Sequence, residues 1–300
     1  MKLLSALVVV ALVACGGKKE PPASGSGSSE KPVVADKGSS TTGSGSSTTG
    51  SGSAGSGSAI AIPPYTPSAE VPDPIKQAIA AADRTDADRA LDAGRKPGEV
   101  LGFFKIAEGQ KIGELFAGGG YSTELMARIV GPKGKIYAQN SKEILDKFAR
   151  KPWTERAARP INKDIVVGIE RPIDDPFGPD VKDLDAVVTI LNYHDAVWQK
   201  ADTAKMNKAV FDALKPGGIY AIVDHSAKDG SGVKDAETLH RIEQKVVVDE
   251  VTKAGFKLDA ESDTLEHAED TRDWSTSPRV AGEKRGTSDR FTLRFVKPVK

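Results

Sequence analysis

A single cysteine, Cys15, stands in a chain of 300 residues. That excludes an intrachain disulfide framework and a zinc site built on cysteine ligands. Excess charge of one sign is missing too, since 42 Lys and Arg face 42 Asp and Glu. A broad nucleic-acid surface needs many unopposed cations to neutralise phosphates, so nucleic acid is not an expected partner. Long apolar runs are also lacking. Residues 3–14 form an almost unbroken run of 12, whereas a bilayer-spanning helix needs about 20. Preceded by Met1-Lys2, this run reads as the core of a signal peptide.

What is present divides into two materials. Residues 16–61 hold 11 of the 30 glycines amid dense Ser and Thr, as in Gly43-Ser44-Gly45-Ser46-Ser47-Thr48-Thr49. Such a segment has too little apolar surface to offset its ordering entropy, so a disordered tether is expected over 15–61. A flexible coil of that length spans about 35–40 Å. Residues 62–300 read as one globular domain.

In that domain strands and helices alternate. Apolar runs predict strands over 111–117, 135–138, 165–169, 184–191, 219–223, 256–260 and 290–296. Helical spacing predicts helices over 73–91, 121–130, 141–150 with Ser141 as cap, about 206–214, and 235–254. This alternation is the signature of an α/β fold, a doubly wound sheet with parallel core strands. The last strand alternates Phe291, Leu293 and Phe295 with Thr292 and Arg294, the pattern of two unlike faces.

The first strand runs into Glu114-Leu115-Phe116-Ala117-Gly118-Gly119-Gly120-Tyr121, and a helix follows. Glycines let a ligand approach the backbone, and a helix start offers unpaired N–H groups. The third glycine of a dinucleotide fingerprint is missing, which disfavours NAD and flavin. A phosphate loop ending in Gly-Lys-Ser/Thr is absent as well. In open α/β sheets the ligand crevice lies at the carboxyl ends of the strands. Asn192-Tyr193-His194-Asp195 and Asp224-His225 fall at two such tips. His194 is the first candidate for a general base, with Asp195 orienting it; Asp224 and His225 are second. The bland alternative is that both histidines bond loop backbone and only shape the crevice. No spaced His-x-x-x-His pair is present, so no metal is expected at these residues. His240 and Arg241 are expected within the helix after the fifth strand, and His267 at the surface.

Two resemblances sharpen this. The run Leu12-Val13-Ala14-Cys15 resembles the lipobox of bacterial lipoproteins. It implies removal of residues 1–14, a lipidated Cys15 and an envelope protein anchored to membrane. Gly16 after the cysteine favours the outer membrane. The glycine turn resembles motif I of class I S-adenosylmethionine-dependent methyltransferases. Over about residues 70–298 the chain is similar to a branch of predicted methyltransferases, through Tyr137-Ala138-Gln139-Asn140, Tyr193-His194-Asp195, Leu239-His240-Arg241-Ile242 and Arg285-Gly286-Thr287-Ser288-Asp289-Arg290. The resemblance implies a Rossmann-like sheet, mostly parallel with an antiparallel C-terminal strand, and methyl transfer to a small molecule. It also implies S-adenosylmethionine held by Glu114, Ala117, Gly118, Gly119, Gly120, Tyr121, Asn140 and Asn192. Two residues depart from the pattern. Phe116 replaces a glycine and is expected to narrow the cradle. Asn140 stands where an acid usually holds the ribose, and gives up a charge-assisted bond. A non-catalytic ligand-binding or scaffold lipoprotein on the same fold is therefore the alternative reading, and an export signal, which takes the domain away from the cytoplasmic cofactor pool, adds to it.

Overall fold

A computed structural model describes residues 65–299. The signal run, Cys15 and the tether lie outside the described residues.

The chain enters through α1 (Asp73–Ala80), α2 (Asp86–Arg95) and α3 (Pro97–Phe103). Then β1 (Lys111–Leu115), α4 (Tyr121–Val130) and β2 (Lys135–Asn140) follow. The segment after β2 starts as α5 (Lys142–Ile144), widens into a π-turn over Leu145–Ala149, and continues as α6 (Arg150–Ala157). Next come β3 (Val166–Glu170), β4 (Leu184–Ile190), α7 (Tyr193–Trp198), α8 (Thr203–Ala213) and β5 (Leu214–His225). The last elements are α9 (Gln244–Lys253), β6 (Lys257–Ser262) and β7 (Arg290–Val296).

The seven strands form one sheet in the order β3-β2-β1-β4-β5-β7-β6. Pairs from β3 to β5 are parallel, and β7 runs antiparallel to both β5 and β6. This is the doubly wound, mostly parallel sheet expected, with β1 and β4 adjacent at the point where strand order reverses.

Side-chain alternation builds two cores. On β4, Ala186 and Val188 belong to one face and Val187 to the other; on β5, Ala221 and Val223 oppose Tyr220 and Ile222. The first face packs on α1, α3 and α4 through Ile75, Leu101, Leu125 and Met126. The second packs on α8 and α9 through Met206, Val210, Val247 and Val251. As expected for β7, Leu293 and Phe295 enter the second core. Arg294 points the other way, its guanidinium over the Phe103 ring at 4.7 Å.

Two expected helices are shorter than their apolar spacing suggests. The helix over 73–91 is broken into α1 and α2. Thr85 caps α2 by accepting from the Asp88 N–H at 3.1 Å. Arg84, in the break, bonds the Ile79 carbonyl at 2.8 Å and pairs with buried Asp92 at 2.7 Å. That pair joins α1 to α2 across the bend. The helix over 235–254 begins only at Gln244. Arg241 is 0% exposed and paired with Asp270 at 2.8 Å, which holds residues 235–243 in turns against the loop at 270–276. Among the described residues no helix is long and apolar enough to cross a membrane.

Candidate functional site

The glycine turn sits at the tip of β1 and caps α4. Three residues in it are left-handed: Phe116 at φ 53°, Gly118 at φ 57° and Gly120 at φ 81°. Phe116 thus takes a backbone conformation that suits the glycine it replaces. Its ring is 5% exposed and belongs to the second core. It therefore does not narrow the cradle, contrary to expectation, because burial among apolar side chains outweighs the local strain. The glycines have separate jobs. A Cβ on Gly118 would meet nothing nearer than 3.9 Å, so its face is open. A Cβ on Gly120 would strike Arg156 at 2.7 Å, so that glycine serves packing. Arg156 bonds the Gly119 carbonyl at 2.7 Å and reaches Asp88 and Glu124 at 2.8 Å, tying α6, α2 and α4 around the turn.

Of the expected cofactor residues, the structure gathers Ala117, Gly118, Gly119, Gly120, Tyr121 and Asn140 at this tip. Asn140 is 1% exposed, and both ends of its amide meet Gly118: Oδ1 accepts from the N–H at 2.8 Å and Nδ2 donates to the carbonyl at 3.3 Å. Glu114 is not in the crevice. It is buried beneath the turn and accepts from the Thr123 hydroxyl, and burial pushes its carboxyl up to about 7. It therefore braces the first turn of α4 instead of reaching a ligand. Asn192 donates to the Ile190 carbonyl at 2.6 Å beyond β4. Tyr121 donates to Asp92 at 2.6 Å, and Arg95 lies over its ring at 4.4 Å.

The tips of β4 and β5 hold a histidine cluster arranged differently from expectation. Asp224, 0% exposed, is the partner of His194: one oxygen accepts from the His194 backbone N–H and the other meets Nδ1, each at 2.7 Å. Asp195 lies at the opposite ring nitrogen, with Oδ1 3.3 Å from Nε2. Burial opposes a charge on His194. The Asp224 charge and hydrogen bonds to both carboxylates outweigh it and hold the imidazole up to about 10. Asp195 is held down to about 2, because bonds to His194 and His240 outweigh its own burial. Carboxylates thus meet both ring nitrogens of His194, an arrangement that orients the ring from two sides. His240 joins the cluster from the turn before α9, its Nδ1 3.5 Å from Asp195 Oδ1. Separation in the chain hid this contact from sequence reasoning. His194, Asp195 and His240 offer donor atoms within 4.8 Å of one another.

His225 packs beside His194, with ring centroids 5.8 Å apart, but its side chain bonds elsewhere. Its Nδ1 meets the Ser288 hydroxyl at 2.7 Å. Burial, then the charges of His194, Arg290 and Arg241, push it well below the usual histidine range, so it is neutral. It lines a cavity of about 140 Å³ enclosed by α2, the tips of β4 and β5, and the loop at 274–290. Arg95, Lys284, Arg285 and Arg290 also line this cavity, and no carboxylate does. Burial and the neighbouring Arg95 push Arg290 down to about 10. Arg95 is lowered by burial as well, and among the described residues it has no hydrogen bond or ion pair, only the Tyr121 ring. Arg95 thus joins the cavity to the glycine turn. The sequence motif Arg285-Gly286-Thr287-Ser288-Asp289-Arg290 supplies one wall, a role that spacing alone did not reveal. His267 is half-buried, with its backbone N–H on Asp289 at 2.9 Å.

No family model and no curated protein matches the chain. Solved structures do. A SAM-dependent methyltransferase from Aquifex aeolicus is similar at TM-score 0.50 and 18% identity, covering 75% of this chain and 98% of that one. A protein assigned as a sarcosine dimethylglycine methyltransferase from Galdieria sulphuraria is similar at TM-score 0.51 and 14% identity, covering 76% and 91%. At such identities the likeness establishes the fold, a class I methyltransferase fold.

Proposed function

We propose that the domain binds S-adenosylmethionine at the glycine turn and transfers its methyl group to a small anionic molecule in the adjoining cavity. One observation carries this reading: a left-handed glycine with an open face, Gly118, sits between β1 and α4 at the reversal point of this sheet order. The residues present fit the cofactor's methionyl half. Gly118 admits close approach, and the first N–H groups of α4 have no intrahelical acceptor. At the ribose half Asn140 must exchange its Gly118 contacts for the hydroxyls, without a charge-assisted bond. When bound, the cofactor supplies a methyl group on a sulfonium for in-line displacement. The chain's part is alignment and proton removal. Half-buried Arg95 and buried Arg290 attract and orient an anionic acceptor, since guanidinium groups lining a cavity without carboxylate partners favour a bound anion. In the tautomer in which Nδ1 carries the ring hydrogen and donates it to Ser288, neutral His225 has Nε2 as the lone-pair nitrogen that takes the proton from the acceptor's nucleophile.

Calorimetry of the full chain with S-adenosylmethionine and S-adenosylhomocysteine tests this. One-site binding is expected, and Gly118→Val should abolish it by filling the open face and straining a left-handed backbone. Absence of heat with either ligand overturns the reading.

A second reading, a non-catalytic ligand-binding domain, is favoured by one feature, the closure of Asn140 onto Gly118. A ligand-soaked crystal structure separates the two: ribose on Asn140 supports the enzyme, and an intact Asn140–Gly118 pair beside a bound anion supports the alternative. For cellular placement, we propose anchoring to the cell envelope through lipidated Cys15, on the strength of the lipobox-like run.

A further inference from the structure

The cluster beyond β4 has geometry that methyl transfer does not call for. His194 Nε2 and His240 Nδ1 converge on one oxygen, Asp195 Oδ1, at 3.3 and 3.5 Å. A four-coordinate divalent ion with bonds of about 2.0–2.1 Å sets its donors roughly 3.4 Å apart. Two edges of the triangle already stand at that spacing, and the three atoms span no more than 4.8 Å.

Two further observations show that the cluster is held in place. Asp224, fully buried, engages His194 at both its backbone N–H and Nδ1. This fixes the ring so that Nε2 faces the cluster, as carboxylates behind metal-binding histidines do. His240 has a left-handed backbone at φ 52°, a conformation that strains a non-glycine residue. The turn is pinned on both sides. Arg241 bonds Ser226 and Asp270 at 2.9 and 2.8 Å. Thr276 donates from its hydroxyl to the His240 carbonyl at 2.7 Å and from its N–H to the Leu239 carbonyl at 2.9 Å. Strain kept by buried anchors points to a use for the side chain it aims.

We propose that His194 Nε2, His240 Nδ1 and Asp195 Oδ1 form a binding site for one divalent transition-metal ion of the zinc class. Two imidazoles and one carboxylate suit such ions better than magnesium or calcium, which favour oxygen donors throughout. The Asp195 and His240 side chains are 18% and 23% exposed. Solvent therefore reaches the open side, where a water completes the coordination. His225 stays outside the set, on Ser288.

The test uses the untagged full chain, titrated with Co²⁺ and followed by visible absorption, with zinc content measured after dialysis from excess Zn²⁺. One equivalent of metal is expected, with the intense visible bands of four-coordinate cobalt. His240→Ala and Asp195→Asn should each weaken binding by at least about 100-fold, and Asp224→Asn by about 10–100-fold. His267→Ala should leave binding unchanged. Failure to retain either metal overturns the proposal, as does equal binding by wild type and His240→Ala. Circular dichroism checks each fold; if His240→Ala does not fold, Asp195→Asn decides. S-adenosylmethionine is absent throughout, so the outcome is independent of the methyl-transfer reading.

Discussion

At the scale of single residues, Glu114 shows how a motif position can keep its residue type and serve from beneath the site. Its carboxyl, raised by burial from the ordinary 4.5 to about 7, prefers its proton in the folded state. Its contribution to stability is complete below pH 4.5 and is lost as pH rises through 7. A shift of that size corresponds to roughly 3 kcal/mol. Glu114→Gln keeps the acceptor for the Thr123 hydroxyl and cannot ionise. The variant should match the wild type near pH 4.5 and gain on it up to pH 8. Thermal unfolding across that range measures the difference, and parallel curves would contradict the assignment. Phe116 makes the companion point. The sequence shows a departure from glycine, yet whether the ring blocks the cradle depends on the core beneath it.

At the scale of elements, the break between α1 and α2 decides what surrounds the glycine turn. Thr85 starts α2, and α2 carries Asp88 to Arg156, Asp92 to Tyr121, and Arg95 to the cavity. One uninterrupted helix would turn these side chains elsewhere. Thr85→Ala leaves the Asp88 N–H without its side-chain acceptor. It should cost about 1 kcal/mol, a fall in Tm of about 2–4 °C. Differential scanning calorimetry checks this, and an unchanged Tm would remove the cap from the account. Apolar spacing over 73–91 predicts one long helix, and the Thr85 cap together with the Arg84 contacts in the break decides against it. Similarly, Leu239, Ile242, Val246 and Val251 suggested a helix from 235. The buried pair Arg241–Asp270 instead keeps the first part in turns, because an unpaired buried arginine would cost more than the helical turns forgone.

At the scale of the whole molecule, a lipobox-like run, Leu12-Val13-Ala14-Cys15, precedes a class I methyltransferase fold. If Cys15 is lipidated, the native protein partitions into detergent on phase separation and its mature chain begins at residue 15. Cys15→Ser should leave the upstream run uncleaved and the chain without lipid, as read from its intact mass. A native mass matching cleavage elsewhere would set the anchor aside.

The amino-acid sequence by itself determined the strands of the sheet, the glycine turn, the helix after it and the two-faced β7. Those features rest on periodicities of two and 3.6 residues and on backbone demands within a few positions of one another. Tertiary structure decided which chemistry stands together. His240 reaches Asp195, Asp224 takes the ring of His194, and Arg290 meets Arg95 across the cavity only after the loops at 235–243 and 270–290 fold over the strand tips. These partners lie far apart along the chain, and the shifts of His194, Asp195 and Arg290 arise from burial and neighbouring charges that no local pattern encodes.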